Sequence, residues 1–83
     1  MFNVLLEEDV SKELEKLQKE LKDVIIKKLK LLEQGFSPVL DIKKLKGYQN
    51  HYRIRVGKFR ILFCMENPNV VVYKIGKREN VYE

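Results

Sequence analysis

Hydrophobic and polar positions recur with two different periods along this chain, and the change of period divides it. At the start, Phe2, Val4 and Leu6 fall on one side of a short run, the pattern of a strand with one covered face. Further on, Leu14, Leu17, Leu21, Val24 or Ile25, Leu29 and Leu32 recur at spacings of three and four, an apolar stripe on a helix. Lysines and glutamates fill the other positions, and Glu15–Lys19 and Asp23–Lys27 have the favourable i,i+4 order. Asp9 and Ser11 are candidate N-caps, Gly35 suits a C-terminal cap, and Ser37-Pro38 marks a loop. The pattern over residues 9–34 admits one helix or an antiparallel pair turning near residues 18–20. A lone helix of that length overhangs so small a domain, which favours the pair.

After the loop the period becomes two. Tyr52, Ile54 and Val56 point one way, and His51, Arg53 and Arg55 the other. Gly57-Lys58 is a two-residue connection with glycine first, suited to a type II′ hairpin turn. Phe59, Ile61, Phe63 and Met65 then alternate with Arg60, Leu62 and Cys64. Asn67-Pro68-Asn69 reads as a second turn, and Val70 to Ile75 as a further strand. The plan is α+β: a small, mainly antiparallel sheet packed against an N-terminal helical hairpin, one domain over residues 1–83. No internal repeat, low-complexity tract or linker interrupts it.

Composition narrows the function classes. At 83 residues the chain has room for one modest core, which excludes a multi-domain enzyme with a deep cofactor pocket. The longest unbroken apolar run, Ile61 to Met65, is too short to cross a bilayer. With no basic, apolar leader at the N-terminus, a cytoplasmic protein with no membrane partner is expected. A single cysteine, Cys64, and a single histidine, His51, exclude a zinc site built on several thiolates; no metal and no cofactor are expected.

Charge adds the functional signal. The net charge of +5 is unevenly divided: residues 1–35 sum to −1 and residues 36–83 to +6. All four arginines, Arg53, Arg55, Arg60 and Arg78, lie in the second part, and no acid occurs between Lys43 and Arg60. That asymmetry fits either a polyanion partner or a basic face that is merely solvated. In a hairpin turning at Gly57-Lys58, Arg60 comes opposite Arg53 or Arg55 on the face away from the helices. Like charges held across strands repel, so three arginines crowded there are easier to explain if a phosphate sits among them. Arg78 follows the last strand and can close the patch from its end. No glycine-rich phosphate loop and no nucleophile–histidine–carboxylate arrangement is present.

Three segments together resemble a known family. Leu45-Lys46-Gly47-Tyr48, then His51-Tyr52-Arg53-Ile54-Arg55-Val56-Gly57-Lys58-Phe59-Arg60, then Tyr73-Lys74-Ile75-Gly76-Lys77-Arg78-Glu79-Asn80-Val81-Tyr82 are similar to the RelE family of the RelE/ParE toxin superfamily. The likeness covers nearly the whole chain. It implies the toxin of a type II toxin–antitoxin pair that enters the ribosomal A site, cuts messenger RNA there and so inhibits translation. The cut is an attack of the nucleotide's own 2′-hydroxyl on the adjacent phosphate, without a metal.

The resemblance also implies roles for single residues. Arg53 and Arg55 stand where the family has basic residues, often lysines. Arg60 matches the arginine of the strand after the turn, Arg78 that of the Gly-Lys-Arg motif, and Tyr82 the tyrosine that stacks on the substrate base. These five are the candidate catalytic residues; Lys43, Lys44, Lys46, Lys58 and Lys77 are the candidate RNA-binding residues around them. Arginine stays protonated, so Arg53 and Arg55 favour ionisation of the 2′-hydroxyl rather than take its proton, and Glu79 is a candidate for proton transfer. The implied partners are the ribosome, its message and a cognate antitoxin, an acidic segment that covers the basic face. A ParE-like inhibitor of gyrase, and a non-catalytic relative that binds only antitoxin or RNA, are the alternatives.

Overall fold

A computed structural model of the chain describes residues 1–77. Its elements run β1 (Asn3–Leu6), α1 (Glu8–Glu15), α2 (Lys19–Leu32), β2 (Ile42–Lys44), β3 (His51–Val56), β4 (Phe59–Glu66) and β5 (Asn69–Lys77). The strands form one five-stranded sheet in the order β1-β5-β4-β3-β2. All neighbours are antiparallel except β1, which pairs parallel to β5 from Asn3↔Asn69 to Leu6↔Val72.

The helical stretch is the antiparallel pair. One helix over residues 9–34 would run roughly 39 Å at 1.5 Å per residue, longer than the 30 Å greatest extent of the molecule. The break falls at Lys16-Leu17-Gln18, where Lys16 and Leu17 donate to the carbonyls of Glu13 and Leu14 in a tightened last turn. Of the two residues that could continue the stripe, Ile25 is fully buried and Val24 exposed. The expected caps are displaced. Glu7 is the N-cap residue of α1, in extended conformation and without a side-chain cap, so Asp9 lies in the first turn and Ser11 inside the helix. Asp9 and Glu8 there face the positive end of the helix dipole.

Both helices cover one face of the sheet. Val10, Leu14, Ile25, Leu29 and Leu32 meet Ile54, Val56, Ile61, Phe63, Val70, Val72 and Ile75 in a single core. Phe63 stacks on Tyr52 at 5.5 Å between ring centroids, and Phe36 meets both edge-on. The β3–β4 turn has Gly57 at φ 59°, a positive angle that the first position of a II′ turn requires and glycine adopts without strain.

Two features lie outside simple alternation. β2 is a three-residue edge strand with one partly buried position, Ile42, and two exposed lysines. Between β4 and β5 the register slips: Leu62 pairs with Lys74 but Phe63 with Val72, leaving Tyr73 as an extra residue. This bulge reverses the facing of the strand, so Val70 and Val72 are buried before it and Ile75 after it. Among the described residues, no helix is long and apolar enough to cross a membrane.

Candidate nucleic-acid interface

The sheet face away from the helices is built in rows by strand pairing. Arg55 is directly opposite Arg60, with Gly76 beyond it. The next row holds Lys43, Arg53, Leu62 and Lys74. A third holds His51, Cys64, Val71 and Leu5. Arg53, Arg55 and Arg60 therefore do share one face. Their exposure differs: Arg53 and Arg60 are buried, at 8% and 5% exposure, whereas the Arg55 side chain is half exposed. Every buried side-chain nitrogen or oxygen among the described residues has a hydrogen-bond partner.

Asp41 is the residue that the charge pattern hides. It precedes the acid-free run and lies in no periodic segment, yet it is held beside β3 by the Arg55 N–H donating to its carbonyl at 3.0 Å. Its carboxylate accepts from Arg55 Nε at 2.7 Å and from Arg53 Nη1 at 3.4 Å, and the same Nη1 reaches the Asp41 carbonyl at 3.2 Å. The hydrogen bond from Arg55 pulls the Asp41 carboxyl below its ordinary range, the hydrogen bond from Arg53 and both positive charges add to this, and desolvation opposes it. One internal anion thus offsets two of three crowded cations. Arg55 is engaged through Nε, which leaves its terminal nitrogens to a further acceptor.

The candidate lysines divide. Lys43 lies in the Arg53 row on the arginine face. Lys44 pairs with Tyr52 and Lys77 with Phe59, positions of the helix-covered side, so pairing does not bring them to the arginines. Lys58 is in the β3–β4 turn, and Lys46 follows β2 in the loop that leads to β3. Lys74 is an addition: alternation from Val70 and Val72 puts it on the covered side, and the bulge turns it to the arginine row, where it is exposed. Arg78, Glu79 and Tyr82 lie outside the described residues.

Known proteins share this architecture. A family model described as the ParE toxin of the type II toxin–antitoxin system parDE matches residues 4–82. Putative toxin RelE1 of Methanocaldococcus jannaschii is 34% identical over 90 aligned positions, covering 99% of this chain and 96% of that protein. The chain belongs to the RelE family of type II toxins, within the RelE/ParE superfamily. Toxin RelE3 of the same organism is 43% identical over 44 residues, a match spanning 53% of this RelE-family chain and half of that protein. The toxin also resembles a solved chain of the RelB–RelE antitoxin–toxin complex from Methanococcus jannaschii. The two are 29% identical, with a TM-score of 0.80 and 94% of each chain covered.

Proposed function

We propose that this RelE-family toxin is a ribosome-dependent endoribonuclease that cuts messenger RNA in the A site and inhibits translation. The observation that carries the reading is the placement of Arg53, Arg55 and Arg60 on one sheet face, with Arg55 and Arg60 directly opposed. Such a set suits a phosphate that gains charge as it becomes pentavalent. In the step, the 2′-oxygen bonds to the adjacent phosphorus, the bond from phosphorus to the 5′-oxygen breaks, and the 2′-hydroxyl proton is lost while the 5′-oxygen gains one. The products are a 2′,3′-cyclic phosphate and a 5′-hydroxyl. Arg78 closes the site and Tyr82 stacks on the base in this reading. Arginines stabilise the charge and do not remove the proton, so alignment by the ribosome supplies much of the rate. The partner is a RelB-like antitoxin, a reading supported by the relative solved in complex with RelB.

Mapping message ends on programmed ribosomes tests this. The upstream fragment ends in a cyclic or 3′-phosphate, and a 2′-deoxy or 2′-O-methyl sugar at the cut position blocks cleavage. Cutting of the modified message at a normal rate, with a 5′-phosphate product, refutes the mechanism. The match to a ParE family model favours a second reading, inhibition of gyrase by binding. Intact messages together with arrested supercoiling in the same cells would establish it instead.

A further inference from the structure

Beside the arginines, the same face carries a cluster that the proposed cleavage does not use. Tyr48 is 48% exposed and rests on the His51 ring at 5.6 Å between centroids, tilted by 47°. His51 in turn meets Tyr73 edge-on at 5.4 Å, and its Nδ1 is 3.0 Å from the Tyr73 hydroxyl oxygen. Tyr73 reaches His51 from β5 because it is the extra residue of the bulge. The loop that carries Tyr48 is tied at both ends. Leu45 N–H donates to the His51 carbonyl at 2.8 Å, and Met65 N–H donates to the Asn50 carbonyl at 2.8 Å. Asn50 turns the chain into β3 at φ 62°, a left-handed angle that asparagine tolerates better than most residues. The exposed ring is therefore held in place by the His51 ring, itself braced by Tyr73, and by a pinned loop, at little further cost in order when something binds.

The surroundings of Tyr48 are basic. Lys46 lines the same surface concavity as Tyr48, with Leu45, Gly47, Gln49 and Lys44, the last from a strand position of the covered side. His51 lies one row from Lys43, Arg53 and Lys74, a step of roughly 7 Å along the strands. An exposed aromatic ring flanked by cations and continuous with a basic row is the arrangement that binds single-stranded nucleic acid, the ring taking a base and the cations its phosphates. An acidic peptide would use the lysines equally and would gain little from a bare ring.

We infer that Tyr48, backed by His51 and Tyr73, is a base-stacking subsite for a nucleotide of single-stranded RNA flanking the one at the arginines, with Lys46 at its phosphate. The inference rests on the ribonuclease reading for its biological setting, but not for its measurement. A short 2′-O-methyl RNA oligonucleotide, which the toxin cannot cut, is titrated into the full chain and into Tyr48→Ala and Tyr48→Phe. Tyr48→Ala weakens binding roughly ten-fold or more, the effect of one lost base–aromatic stack, and Tyr48→Phe stays within about two-fold of wild type. Saturating RNA shifts the Tyr48 and His51 ring resonances, and inorganic phosphate does not.

Equal affinity of wild type and Tyr48→Ala overturns the subsite. So does an equal loss in Tyr48→Phe, which would make the hydroxyl rather than the ring responsible, and so does polyglutamate binding with the same dependence on Tyr48. Cleavage by the wild type on ribosomes is scored separately. Its absence, with Tyr48-dependent oligonucleotide binding intact, sinks the ribonuclease and leaves the subsite. Its presence, with Tyr48→Ala binding RNA normally, does the reverse.

Discussion

The two faces of the sheet obey different rules. On the helix-covered face, Ile54, Ile61 and Ile75 meet in one row and are buried because they are apolar, and alternation alone places two of the three. On the other face, Arg53 and Arg60 are almost as buried although each carries a charge. Burying a cation is costly unless it is paired and hydrogen-bonded. Arg53 satisfies that condition through Asp41, a residue outside its strand. Burial of Ile54 and Ile61 on the first face is thus a local consequence of period, and burial of Arg53 on the second a consequence of a partner brought from outside its strand.

The sharpest way to break the comparison is to empty one position on each face. Phe63 is fully buried against Phe36 and Tyr52. Phe63→Ala costs about 3–5 kcal/mol, much of the stability of a small domain, and appears as a large fall in the urea midpoint. Arg60→Gln keeps most of the side-chain stem and removes the charge. It lowers cleavage on ribosomes by roughly 10²–10³, the loss typical of one oriented donor, with a far smaller change in the midpoint. If Arg60→Gln unfolds the protein as Phe63→Ala does, the arginine is a structural residue and the two faces do not differ in kind.

A finer test separates two lysines three residues apart. Lys74 is turned to the arginine row by the bulge, and Lys77 pairs with Phe59 on the covered side. Lys74→Ala reduces the salt slope of RNA binding by about one, the value for a lost phosphate contact. Lys77→Ala leaves the slope unchanged. The opposite result would mean that the bulge does not set which lysine meets RNA.

These contrasts explain what was readable in the chain. The helical hairpin, the β3–β4 turn and the shared face of Arg53, Arg55 and Arg60 follow from local period and turn chemistry, so a sequence carries them openly. The parallel pairing of β1 with β5 joins residues far apart in the chain, and no local signal encodes it. β2 is too short, with Ile42 its sole apolar residue, to show a period. Lys74 is misplaced by alternation because one inserted residue reverses every position after it. Asp41 and Tyr48 belong to loops, where partners are chosen by three-dimensional proximity. The basic run looked unneutralised only because its counter-ion stands just before it.

The smallest expected effect tests that counter-ion. Asp41 is held below its ordinary carboxyl range chiefly by the hydrogen bond from Arg55. A carboxyl whose pKa is depressed on folding stabilises the folded state above its unfolded pKa, about 4, and the contribution is lost as pH falls through the folded value. Asp41→Asn removes the charge at every pH while keeping the shape. The urea midpoints of wild type and Asp41→Asn therefore differ by a small, constant amount from pH 7 down to about pH 5. Below pH 4 the difference shrinks, because protonated Asp41 becomes equivalent to the asparagine, and it vanishes once the carboxyl has titrated. The side chain is 44% exposed, so salt reduces the difference at neutral pH as well. A difference that persists unchanged into strong acid would mean that Asp41 acts through its shape or backbone contact with Arg55. Identical midpoints at pH 7 would mean that the arginines tolerate one another without it, and the open face would then need no internal anion.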